Sequence, residues 1–93
     1  MSFPAPTVTI YTTDTCIYCD RAKEYLRQRG VPFSEVDVTG DAEARASLIE
    51  RANGRRTVPQ IFVGEVHVGG YTDLVALDAK GRFRPLLVAS GGE

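Results

Sequence analysis

The sequence predicts an α/β fold, a mixed four-stranded sheet with helices on both faces in the order β-α-β-α-β-β-α plus a short C-terminal helix. Three observations predict it. Runs rich in β-branched and aromatic residues alternate with runs of helical period. A helical stretch separates the first two strand-like runs, so those strands should be parallel with a right-handed crossover. A Gly-Glu pair joins the last two, as in a tight hairpin. With 93 residues, 43% of them hydrophobic, the chain fits one domain, 1–93, with flexible ends at 1–6 and 90–93.

Each element has its own signal. "TVTIYT" (7–12) is β-branched and aromatic, as a strand should be. From Ile17 to Arg29 the residues Cys19, Ala22 and Leu26 fall on one helical face, and Gly30 is a natural stop. "FSEVDV" (33–38) alternates like a second strand. Asp41 is a good N-cap for a helix with a buried stripe of Ala44, Leu48 and Ala52, flanked by Ile49 and ended by Asn53-Gly54. "QIFV" (60–63), the Gly64-Glu65 turn and "VHV" (66–68) read as a hairpin. "GGYTDLVAL" (69–77) places Thr72 as the N-cap of a third helix that packs through Leu74 and Leu77, and "RFRPLLV" (82–88) closes the chain as a short helix. The result is a thioredoxin-like architecture.

Composition excludes several functions. Eleven basic and 12 acidic side chains leave a formal charge of −1, without the basic excess of a nucleic-acid-binding domain. No apolar run approaches the roughly 20 residues that cross a bilayer. "MSFPAP" lacks the basic start and apolar core of a secretory signal, so a cytoplasmic chain that does not engage membranes is expected. Two cysteines are too few for a disulfide scaffold. With His67 as the one further soft ligand, they are also too few for a closed zinc site, and no metal is expected.

Those cysteines, Cys16 and Cys19, stand two residues apart where the first strand gives way to the first helix. Helix-opening N–H groups have no intrahelical partner, and a sulfur among them accepts hydrogen bonds at the positive end of the helix dipole. That favours the thiolate, the attacking species in disulfide exchange. Cys19 lies one turn further in, close enough to close a disulfide and more buried. The expected roles differ: Cys16 attacks and Cys19 resolves.

Three motifs in order, "CIYC" (16–19), "TVPQIFV" (57–63) and "GGYTDL" (69–74), make the chain resemble a glutaredoxin of the dithiol type over residues 7–88. The resemblance implies a glutathione-dependent thiol–disulfide oxidoreductase. It would reduce glutathionylated and disulfide-bonded proteins, as a monomer and with no tightly bound cofactor. It implies a cis bond between Val58 and Pro59, with Thr57, Val58 and Pro59 binding glutathione beside the attacking sulfur. It also implies a glutathione site at Gly70, Tyr71, Thr72 and Asp73, where Asp73 takes the γ-glutamyl amine and the Thr72 and Asp73 backbone takes its carboxylate. Arg55 would reach the glycyl carboxylate, and Tyr18 would pack at the rim. His67 reads as structural.

Two positions depart from the family pattern. Ile17 stands where proline is usual, restoring an N–H at the helix start and adding apolar bulk at the mouth. Thr13 stands where many relatives carry a lysine that supports the thiolate. Two alternatives follow from the same resemblance. One is a dimeric carrier of a glutathione-ligated iron–sulfur cluster with Cys16 as ligand, and the other is an electron donor recharged by thioredoxin reductase.

Overall fold

Burial sorts the strands. All four residues of β3 (Gln60–Val63) are buried, and it lies inside the sheet beside β1 (Val8–Thr12). β2 (Ser34–Asp37) and β4 (Val66–Gly69) form the edges, giving the order β2-β1-β3-β4. β1 runs parallel to β2 and antiparallel to β3, and β3 and β4 are antiparallel. The structure, a computed structural model, describes residues 6–88. The ends expected to be flexible lie outside those residues apart from Pro6, which is half-buried.

Two clusters of side chains fill the two faces of the sheet. On one face, Val8, Ile10, Ile61 and Val63 pack against Ala22 and Leu26 of α1 (Ile17–Gln28), Leu74 of α3 (Tyr71–Ala79) and Phe83. On the other, Phe62 and Val38 meet Leu48 of α2 (Ala42–Arg51) and Ala52, which follows it. The face of α1 expected from its spacing (Cys19, Ala22, Leu26) is the buried one. Asp41 caps α2 by accepting the Ala44 N–H at 3.0 Å. Asn53 and Gly54 end that region with φ of 58° and 88°. The hairpin turns at Gly64-Glu65, with Val63 paired to Val66 and Gly64 at φ 58°.

Two expectations need correction. β2 does not alternate between buried and exposed: all four of its residues are exposed, because an edge strand lies beyond the cover of the helices, and burial resumes at Val38. Thr72 is not the N-cap of α3. Gly70 is, and the carboxylate of Asp73 accepts its N–H at 2.9 Å. The expected short closing helix is present as a single 3₁₀ turn, Arg84–Leu87, with Pro85 at its second position, and it holds Phe83 over the first core cluster.

Phe83 is 1% exposed and belongs to the last turn of chain over that core. Phe83→Ala is expected to lower unfolding free energy by about 3–5 kcal/mol, the usual cost of truncating a buried aromatic. Urea denaturation should show a lower midpoint with an unchanged slope.

Candidate active site

A sulfur caps the first helix. Cys16 is extended (φ −132°, ψ 106°), its carbonyl accepts the Asp20 N–H at 3.2 Å, and its Sγ accepts the Cys19 N–H at 3.0 Å. The side chain thus fills the place usually taken by a serine or aspartate oxygen. Cys16 is half-buried and Cys19 is buried, and neither is in a disulfide. Burial pushes the Cys19 thiol up to about 12, and its hydrogen bond with Cys16 acts in the same direction. One turn of helix therefore separates a sulfur that solvent reaches from a thiol held protonated at neutral pH.

The segment before β3 faces this sulfur. The Val58–Pro59 bond is cis, and the Cys16 thiol points at the Val58 carbonyl, 3.7 Å away. Between this segment and the start of α3 runs an open groove of about 250 Å³. Arg55, Thr57, Val58 and Pro59 form one side; Gly70, Tyr71 and Thr72 form the other; Tyr18 from α1 closes the rim. The Tyr18 ring packs at a tilt against Tyr71, 6.1 Å between centroids, and remains half exposed with the Arg21 guanidinium 5.3 Å from its centre. Ile17 is 69% exposed, apolar bulk beside the sulfur.

At the far end, Asp73 is shared. Its Oδ2 accepts from Gly70 N and from Arg55 Nη1, both at 2.9 Å. The Gly70 N–H first, and then Arg55, hold the Asp73 carboxyl below its ordinary value. Arg55 and Asp73, expected at opposite ends of a tripeptide, are thus paired with one another here. The glycine that this arrangement demands is Gly69. It sits at φ +115°, and a Cβ there would lie 2.6 Å from Asp73 Oδ2 and 2.9 Å from Arg55 Nη1. Gly70 has ordinary φ, and a Cβ on it would come no nearer than 3.5 Å to the Pro59 carbonyl.

Sequence reasoning passed over two neighbours of the site. Lys23, one turn beyond Cys19 on α1, donates to Glu35 at 3.0 Å, and Glu35 also accepts from Thr12 Oγ1 at 2.7 Å. The Thr12 hydroxyl, and then Lys23, keep the Glu35 carboxyl below its usual range. Gln60 is fully buried, and its only signal in the sequence was a polar residue opening an apolar strand. His67, expected to be structural, stacks on Phe62 at 4.9 Å. Among the described residues, no three His, Cys, Asp or Glu side chains gather to hold a metal ion. No helix among them is long and apolar enough to cross a membrane.

The family model for glutaredoxin matches residues 8–68. The chain is 52% identical over 80 residues to Glutaredoxin 3 of Escherichia coli strain K12, covering 86% of this chain and 95% of that protein. The solution structure of a glutaredoxin from Brucella melitensis superposes with a TM-score of 0.80 at 46% identity, over 92% of each chain. A buckwheat glutaredoxin, solved as a complex with glutathione, matches with a TM-score of 0.78 at 28% identity, over 88% of this chain and 76% of that one.

Two outcomes follow from the geometry. Limiting iodoacetamide at about pH 8 should alkylate Cys16 and spare Cys19, because the thiolate is the reactive form. Mass spectrometry should then find one adduct in Cys19→Ser and almost none in Cys16→Ser. Gly69→Ala should cost about 1–3 kcal/mol through its left-handed φ and displace Asp73, whereas Gly70→Ala should cost much less. Paired thermal melts would compare the two.

Proposed function

We propose that this chain, which belongs to the glutaredoxin family, is a thiol–disulfide oxidoreductase that draws its electrons from glutathione. It acts in the cytoplasm as a monomer on glutathionylated and disulfide-bonded proteins. The observation that carries the reading is the capping sulfur of Cys16 facing Val58, which lines a groove that ends on the N-terminus of α3. Such a groove suits a small peptide with an anionic end, since the opening N–H groups of a helix favour negative charge. The buckwheat relative solved with glutathione supports the choice of peptide.

The reaction is an exchange of sulfur–sulfur bonds. The Cys16 thiolate attacks the glutathione sulfur of a protein–glutathione disulfide. The S–S bond breaks, the protein thiolate leaves and takes a proton from water, and Cys16 carries the glutathionyl group. The thiolate of a second glutathione attacks the glutathione sulfur of that adduct. This releases glutathione disulfide and restores the Cys16 thiolate. With a protein disulfide, Cys16 forms the mixed link; Cys19 then loses its proton, attacks Cys16 Sγ and expels the product.

Binding sets the direction of attack. The backbone of Val58 borders Cys16 and suits an extended peptide laid beside it as an added strand. The Thr72 and Asp73 N–H groups would take the γ-glutamyl carboxylate, and Asp73 would take the amine. Arg55 and Asp73 are each about half exposed (45% and 43%), so a ligand arriving from water can compete for either partner of their pair. Arg55 would then turn to the glycyl carboxylate, where a guanidinium binds in bidentate fashion.

The deciding experiment couples NADPH, glutathione reductase and glutathione to reduction of a glutathionylated peptide. Activity should vanish in Cys16→Ser and largely survive in Cys19→Ser, while reduction of a protein disulfide should need both cysteines. A wild-type chain that is idle with glutathione yet active with thioredoxin reductase would overturn the proposal.

A further inference from the structure

Behind the Thr57–Pro59 side of the groove lies a polar chain, buried at Gln60 and half-buried at His67, that the proposed reaction leaves unused. Gln60 is fully buried, and a buried primary amide must place two N–H donors and an oxygen acceptor. Its Nε2 donates to the Thr57 carbonyl at 2.9 Å and reaches Thr57 Oγ1 at 3.4 Å. Its Oε1 lies 2.6 Å from Nε2 of His67. A carbonyl only accepts, so the amide nitrogen belongs on Thr57 and the amide oxygen on His67. That places the imidazole proton on Nε2. Nδ1 is then the acceptor, and Asn53 Nδ2 lies 3.4 Å from it. Stacking on Phe62 fixes the plane of the ring. Burial, and then Arg55, keep His67 below the ordinary histidine value and therefore neutral at pH 7. Each member of the chain has a single orientation, set by the next.

We propose that His67 and Gln60 are positioning residues for the substrate groove: His67 orients the Gln60 amide, which holds the Thr57 carbonyl and so aims the Val58 backbone at Cys16 and at the peptide bound there. This deepens the glutathione reading and rests on it. A substrate that pairs with the Val58 backbone senses where that segment lies, whereas a small reagent that needs only the Cys16 sulfur does not.

Two substitutions in the whole chain separate positioning from packing. Gln60→Glu is nearly isosteric and keeps the acceptor for His67, but it sets an oxygen against the Thr57 carbonyl. His67→Phe keeps the stack on Phe62 and removes the N–H. In each, KM for a glutathionylated peptide should rise about 3–10-fold, the worth of one hydrogen bond. Both kcat and the rate of Cys16 alkylation by iodoacetamide should stay within about twofold. The Val58 amide resonance should shift, and His67→Gln, which restores a donor, should recover much of the KM. If Gln60→Glu does not fold, the two His67 variants decide. A folded His67→Phe with unchanged KM overturns the proposal, as does an equal fall in kcat and alkylation. A wild-type chain that does not saturate with the glutathionylated peptide strikes the proposed function instead. The Val58 resonance then decides this inference, and an unmoved signal in His67→Phe refutes it.

Discussion

The hydrogen bond from the Cys19 amide to the Cys16 sulfur is the constraint on which the rest of the site depends. A helix must do something with its first N–H groups, and here a sulfur does what an oxygen usually does. The place of that sulfur is therefore set by the folding of α1, and moving it away uncaps the helix. The same turn carries Cys19 inward, because Ala22 and Leu26 anchor that face of α1 against β1 and β3. Two chemically identical thiols become unlike through one turn of helix.

Strand order brings the other parts of the site to this sulfur. β1 is antiparallel to β3 and β3 to β4, so the end of β1, the start of β3 and the end of β4 lie at the same end of the sheet. The pairings show it directly: Tyr11 lies opposite Gln60, and Ile61 opposite Gly69. The turn into α1, the Thr57–Pro59 segment and the turn into α3 all lie at that end. Topology brings the groove and the capping sulfur to one end of the sheet, with no insertion or extra loop needed.

The polar contacts at this end of the sheet order the site more than they stabilise the fold. The Arg55–Asp73 pair is half exposed, and such pairs contribute little net stability. Any part that depends on the ionised Asp73 is present above the unfolded carboxylate pKa and fades as pH falls through its depressed folded value. What Asp73 does is local. One oxygen closes the start of α3 and restrains Arg55, and Gly69 leaves room for both. Gln60 does similar work from inside the sheet, where leaving its amide unpaired would be costly.

Much of this was legible in the chain itself, because the signals are local. Helical spacing exposed the Cys19–Ala22–Leu26 face, Asp41 announced a cap, Gly64-Glu65 a hairpin, and "CIYC", "TVPQIFV" and "GGYTDL" together marked the family. Tertiary structure decided whatever depends on distant partners. Thr72 is the better capping residue in isolation, yet Gly70 takes the place because Asp73 folds back onto it while holding Arg55, 18 positions away. β2 alternates in sequence, but its place at the edge leaves it exposed. No neighbour in sequence says that Gln60 is buried, since its partners are a loop carbonyl and a histidine across the hairpin. Backbone preferences act over a few residues, whereas burial and polar pairing are properties of the assembled sheet.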